Sequence, residues 1–227
     1  MIDLPKSTYF NRRMPKELFY KNLNLSKTLK KTFINEIESI TWLNKLSPAT
    51  MNVNPGKQVI EIAVMEIVLK QKEISKSLLE VLDRETAHHT VFIIHYKEWG
   101  QIWACYKETS KNREGKFKVD TYYQTDWLPY DDLSLKVEGL NLDKVYENFL
   151  GQIAGERLAI KNGMELKDAV EKTKDLEKLE AAINRLETQI NNEIQFNRQV
   201  KLMGEIRNLK EKIQMINNAT EGINGKT

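Results

Sequence analysis

Leu176, Leu179, Ile183, Leu186 and Ile190 recur at spacings of three, four, three and four, and Leu202, Ile206, Leu209, Ile213 and Ile216 at four, three, four and three. Nothing else in the 227 residues restricts the fold as tightly. An ordinary amphipathic helix drifts off such a repeat, so two strict heptad seams with Glu and Lys between them predict coiled-coil helices. The two frames do not coincide. Heptad steps beyond Ile190 reach Glu193, Asn197, Val200 and Gly204, whereas steps back from Leu202 reach Gln199, Gln195, Asn192 and Thr188. The mismatch falls on a polar stretch, residues 189–197, where Asn191-Asn192 tolerates turn conformations. Residues 164–217 are therefore expected to form a coiled-coil helical hairpin, with a stutter in one continuous helix as the alternative. Residues 218–227, rich in Asn, Gly and Thr, read as a flexible tail.

Ahead of residue 164 the period changes, and residues 1–163 read as a mixed α/β domain. Pro15 opens a short helix, and Ser26 is placed to cap a second that carries Leu29, Phe33, Ile34 and Ile37. Ser39–Leu43 suits a strand. Gln58–Lys70 is apolar on both alternating faces, as a central strand covered on two sides would be. A helix over Ser75–Leu82 follows. Two β-rich runs, His89–Lys97 and Gln101–Glu108, flank the turn residues Glu98-Trp99-Gly100, and Phe117–Gln124 adds a further strand. Asn141–Ile160 reads as a helix. The expected class is α+β, a mainly antiparallel sheet followed by the helical hairpin.

Composition narrows the chemistry. Hydrophobic residues make up 41% of the chain, enough for a core, and a single cysteine excludes both an intramolecular disulfide and a multi-cysteine zinc site. No apolar run approaches the ~18 residues of a membrane span, and the start lacks the apolar core of a secretory signal, so a cytoplasmic protein is expected. The net charge of +3 is uneven: residues 1–31 hold eight Lys/Arg against Asp3 and Glu17, while residues 164–217 hold ten of each sign. Lys6, Arg12, Arg13 and Lys16 are thus candidates for weak nucleic-acid contact. A solvated basic surface is the simpler explanation of them.

No catalytic signature stands out. His89 and His95 lie about 20 Å apart if both are on one strand, at roughly 3.3 Å per residue, and His88 and His89 point to opposite faces, so no metal site is expected. Cys105 sits among large apolar neighbours and reads as a buried thiol. Glu36, Glu38, Glu61, Glu66 and Lys70 invite comparison with Mg-dependent nucleases, in which carboxylates hold the ion and a lysine polarises the attacking water. Glu66 and Lys70, four apart, are one pleat too far for the usual spacing. No cofactor is expected, save Mg under that alternative. Trp99, Trp103, Tyr106, Tyr122, Tyr123, Trp127 and Tyr130 serve either as base-stacking rings or, more simply, as core.

Several stretches resemble one prokaryotic family. They include Leu4-Pro5-Lys6-Ser7-Thr8, Pro15-Lys16-Glu17-Leu18-Phe19-Tyr20, Trp42-Leu43-Asn44-Lys45-Leu46-Ser47-Pro48 and Tyr123-Gln124-Thr125-Asp126-Trp127-Leu128-Pro129. The most specific are Val145-Tyr146-Glu147-Asn148-Phe149 with Gln152-Ile153-Ala154-Gly155, and Gln195-Phe196-Asn197-Arg198-Gln199-Val200. Together they are similar to the domain-of-unknown-function family 4391 over nearly the full length. The resemblance supplies no catalytic residues. Members are often encoded near DNA methyltransferases and helicases of restriction-like or phage-defence loci, which implies an accessory role in DNA modification or antiviral defence. The expected function is a non-catalytic subunit that docks a helicase or methyltransferase through its coiled coil and α/β surface. A divergent nuclease, or a module binding nucleic acid through the basic segment, is the alternative; self-association stays open.

Overall fold

Parallel strands cannot be joined by a tight turn, and the one parallel pair among the described strands organises the sheet around a crossover helix. The computed structural model describes residues 2, 4–22, 25–86, 88–109, 117–158 and 164–219. It divides into two units, Met1–Glu156 and Arg157–Thr227. In the first unit the strands are β1 (Tyr9–Met14), β2 (Ile37–Leu46), β3 (Ile62–Leu69), β4 (His89–Tyr96), β5 (Trp99–Thr109), β6 (Phe117–Gln124) and the two-residue β7 (Leu128–Pro129). The helices are α1 (Lys16–Asn22), α2 (Lys27–Glu36), α3 (Lys76–Glu85) and α4 (Leu142–Ala154). The strands lie side by side from β1 to β6, with β7 against β5. β3 and β4 run parallel, linked through α3; the other pairings are antiparallel. The α+β class with a mostly antiparallel sheet is what the chain forms.

Alternation along the strands sorts the core into two layers. Ala63, Met65, Ile67, Leu69, Phe92, Ile94 and Trp103 pack with Phe33 of α2 and Leu78, Leu79 and Leu82 of α3. Ile62, Val64, Val91, Ile93, Ile102 and Ala104, also buried, fall on the opposite face. There the Tyr146 hydroxyl of α4 donates to the carbonyls of Cys105 (2.8 Å) and Thr90 (3.3 Å). β3 is thus covered on both faces.

Its ends differ from the sequence expectation for a physical reason. Lys57, Gln58 and Val59 donate their backbone N–H groups to the Asp143 carboxylate at 2.7, 3.1 and 2.8 Å. That clamp turns the chain away before the ladder begins at Ile62. A side chain at Gly56 would put its Cβ 2.1 Å from Asp143 Oδ1, so only glycine fits there. Asn141 caps α4 by accepting from Lys144 N (3.0 Å), and Gly155 at φ +55° ends it, well short of the Ile160 expected. Ser26 caps α2 as expected, accepting from Leu29 N at 3.1 Å.

β1 is the element that sequence patterning misses. Its residues, Tyr-Phe-Asn-Arg-Arg-Met, are exposed but for a half-buried Met14, so no apolar alternation announces it. It is an edge strand with a bulge between Tyr9 and Arg12, where Asn11 takes φ +45°. Charge and a bulge are ordinary means of keeping a sheet edge from pairing with other chains.

In the second unit, α5 (Leu166–Asn192) and α6 (Phe196–Ala219) are separated by three residues. The chain therefore leaves the helix within the polar stretch where the two heptad frames disagree. Leu179 of α5 borders the same cleft as Met215 and Ile216 of α6, and Glu187 lies 3.8 Å from Lys210. The expected boundary at residue 163 and the tail beyond residue 219 lie outside the described residues.

Candidate functional site

The five nuclease candidates do not converge. Glu36 is buried and takes the Ser75 N–H and hydroxyl at 2.8 and 2.6 Å; it satisfies the first turn of α3, whose own Ser75 makes no side-chain cap. Glu38 is exposed on β2. Glu61 pairs with Lys45 (2.8 Å) and faces His88 at 3.5 Å. Glu66 accepts from the Tyr130 hydroxyl (2.6 Å) and faces His95 (3.2 Å). Lys70 donates to the Ile34 carbonyl at 2.7 Å, closing the end of α2. The geometry that metal-assisted hydrolysis requires, several carboxylates around one ion, is not assembled by these residues. Among the described residues, no group of three His, Cys, Asp or Glu side chains could hold a metal.

The histidines and the cysteine are also committed. His95 stacks on Tyr130 at 4.0 Å, and its Nε2 stands 2.7 Å from the Lys97 carbonyl. A carbonyl only accepts, so that nitrogen carries a hydrogen and is no free base. His89 is buried edge-on against Tyr146, and burial, then the Lys107 cation, lowers its pKa to about 3. Burial first, then the Asp83 carboxylate, pushes the Cys105 thiol up, which makes it a poor nucleophile. Beneath β5, Lys107 lies 2.7 Å from Asp83 with both side chains fully buried, while Lys107 also donates to the His88 carbonyl (2.9 Å). Asp83 accepts from the Tyr122 hydroxyl as well. The Asp83–Lys107 pair at its centre is sealed from solvent.

The basic candidates form no single patch. Lys6 is exposed in a one-turn helix. Arg12 and Arg13 are successive on β1, opposite Trp42 and Thr41, so they point to different faces. Lys16 donates to the Ile37 carbonyl, and burial, then Lys70, lowers its pKa. Of the aromatic residues, Trp103 and Tyr123 are buried, and the Trp99 and Trp127 rings are covered by Lys72 at 4.0 and 5.3 Å.

A further surface feature among the described residues is on α6. The seam residues face the helix pair: Ile183 and Ile206, near the middle of each seam, are buried, and Leu176, Leu179, Leu186, Ile190, Leu202, Leu209, Ile213 and Ile216 are half-buried. A second apolar row lies outside that seam. Phe196, Val200 and Met203 are 74%, 51% and 57% exposed, and Ile194, just before the helix, is 96% exposed. Sequence reasoning centred on the heptads missed this row, although its spacing of four and three was legible beside them. Contiguous exposed apolar side chains mark interaction surfaces more often than they occur by chance.

The model of one family, described as Domain of unknown function (DUF4391), matches residues 2–213. No curated protein and no solved structure matches the chain.

Proposed function

We propose, from the premise that the chain belongs to the DUF4391 family, that it is an accessory, non-catalytic subunit of a DNA-modification or antiviral defence system. In this reading α5 and α6 form a coiled-coil hairpin, and that hairpin, with the α/β surface, docks a helicase or methyltransferase. The observation that carries it is the row Phe196–Val200–Met203, held in water on a helix whose seam already packs against α5. Burying such side chains against a partner gains about 25 cal/mol per Å² of apolar area. The hairpin itself is supported by the burial of Ile183 and Ile206 and by the Glu187–Lys210 pair across the two helices.

The test is retention of a partner. Tagged protein, expressed at its native level beside its genomic neighbours, is expected to co-purify with a DNA helicase or methyltransferase. The triple variant Phe196→Ser, Val200→Ser, Met203→Ser should lose it while keeping its circular dichroism. Undiminished retention by the folded variant would remove α6 from the docking surface.

A further inference from the structure

We infer that the margin of the sheet beside the start of α3 binds single-stranded nucleic acid, with half-buried rings stacking unpaired bases and three lysines taking the phosphates. Tyr96 and Trp99 stand opposite one another in the β4–β5 ladder and so share a face. Tyr96, Tyr122 and Trp127 border the core that α2 and α3 cover on that face. All four rings are half-buried. Two of them are held by their edges: the Trp99 Nε1–H donates to Glu98 at 3.1 Å, and the Tyr122 hydroxyl donates to Asp83. A ring fixed at its edge keeps its π face for a guest. Successive bases stack on such rings in proteins that bind single strands.

Lysines from three separate parts of the chain lie on these rings. Lys72, in the loop from β3 to α3, places its ammonium 4.0 Å from the Trp99 ring and 5.3 Å from Trp127. Lys76, the first residue of α3, stands 5.7 Å from Tyr122, and Lys97, in the β4–β5 turn, stands 5.2 Å from Tyr96. All three are exposed, and among the described residues none forms a salt bridge. In the sequence few lysines interleave with the aromatic residues; the fold gathers them there. This arrangement selects its guest. A cationic peptide would find every ring already occupied by a like charge, whereas a strand of alternating bases and phosphates complements rings and ammoniums at once. Base stacking on an aromatic ring is stronger than an exposed cation–π contact, so a base displaces the ammonium, which turns to the phosphate beside it. The exposed carboxylates Glu73, Glu98 and Asp126 adjoin Lys72, Trp99 and Trp127 in the chain and offset the lysine charge. Stacking therefore supplies most of the affinity, and a duplex, which keeps its base faces inside, gains nothing from the rings.

The test is fluorescence anisotropy of a labelled oligothymidine of about twelve nucleotides, titrated with the full chain at several salt concentrations. The logarithm of affinity is expected to fall against that of salt with a slope of about −2, the value for three phosphates on a single strand. Lys72→Gln with Lys76→Gln, both exposed, should reduce the slope to about −0.7. Trp99→Leu with Trp127→Leu should weaken binding at least fivefold, roughly the contribution of one stacked base, and leave the slope unchanged. Charge attraction alone would not separate these two readouts. Should the ring variant lose its circular dichroism, competition decides: unlabelled oligothymidine is expected to displace the labelled strand at lower concentration than a blunt duplex of equal length. No binding at low salt, an unchanged slope in the lysine variant, or a duplex that competes as well as the single strand would each overturn the inference. So would loss of binding in Arg12→Gln with Arg13→Gln, which would move the contact to β1. These measurements use the chain alone, so their failure leaves partner retention to be decided by its own experiment.

Discussion

Asp83 and Lys107 place two opposite charges where neither side chain touches water. Removing one partner from such a pair strands the other in the core, at a cost of about 3–5 kcal/mol, whereas replacing both by apolar groups is often nearly neutral. Asp83→Ala is therefore expected to lower unfolding stability by that amount in urea titrations, and Asp83→Leu with Lys107→Met to recover most of it. A small effect of the single variant would show that water reaches the pair. His89 sets a pH dependence. Its folded pKa, about 3, lies below the 6.5 of an exposed histidine, so between those values the unfolded chain binds the additional proton. Stability then rises with pH, is fully present above about pH 6.5 and is lost as pH falls toward 3. One proton gives a slope of at most about 1.4 kcal/mol per pH unit. His89→Gln should flatten the stability profile between pH 4 and 6 by a slope approaching that value, and an identical profile would refute the assignment.

At the scale of elements, the N- and C-terminal ends of helices decide the fate of several candidate residues. Glu36 and Lys70 look catalytic as isolated letters, yet one closes the start of α3 and the other the end of α2. The pairing of α5 with α6 is itself measurable. Spin labels at Leu179 and Ile213 are expected within about 20 Å if the helices fold back, against about 50 Å along one continuous rod at 1.5 Å per residue. The long distance, with intermolecular contributions diluted out, would sink the hairpin.

For the molecule as a whole, the +6 excess of residues 1–31 is spread over a one-turn helix with Lys6, the edge strand β1 with Arg12 and Arg13, and the helices α1 with Lys16 and Lys21 and α2 with Lys27, Lys30 and Lys31. Without a recognition element to enter a groove, such charge holds only phosphates. Duplex DNA is expected to bind weakly at low salt and to release at moderate salt, as counterion release dictates. Tight binding that survives moderate salt, or a marked sequence preference, would overturn that expectation. Among the described residues no helix is long and apolar enough to cross a membrane.

What the residues determined by themselves was periodic and local. Heptad spacing marked α5 and α6, a doubly apolar run marked β3, two neighbouring β-rich runs marked the β4–β5 pair (although its turn is Lys97-Glu98, with Trp99 and Gly100 already in β5), and Ser26 marked a cap. Each depends on chain neighbours within a few positions, where geometry is set by the backbone. The exposed strand β1 carried no such pattern, because an edge is stabilised by hydrogen bonds that any residue can make. The clamp of Asp143 on Lys57, Gln58 and Val59 joins residues more than eighty positions apart, and Glu36, Glu61, Glu66 and Lys70 each found a separate partner across the sheet or at a helix end. A carboxylate's role is set by what stands within about 3 Å of it, and only the tertiary structure decides that.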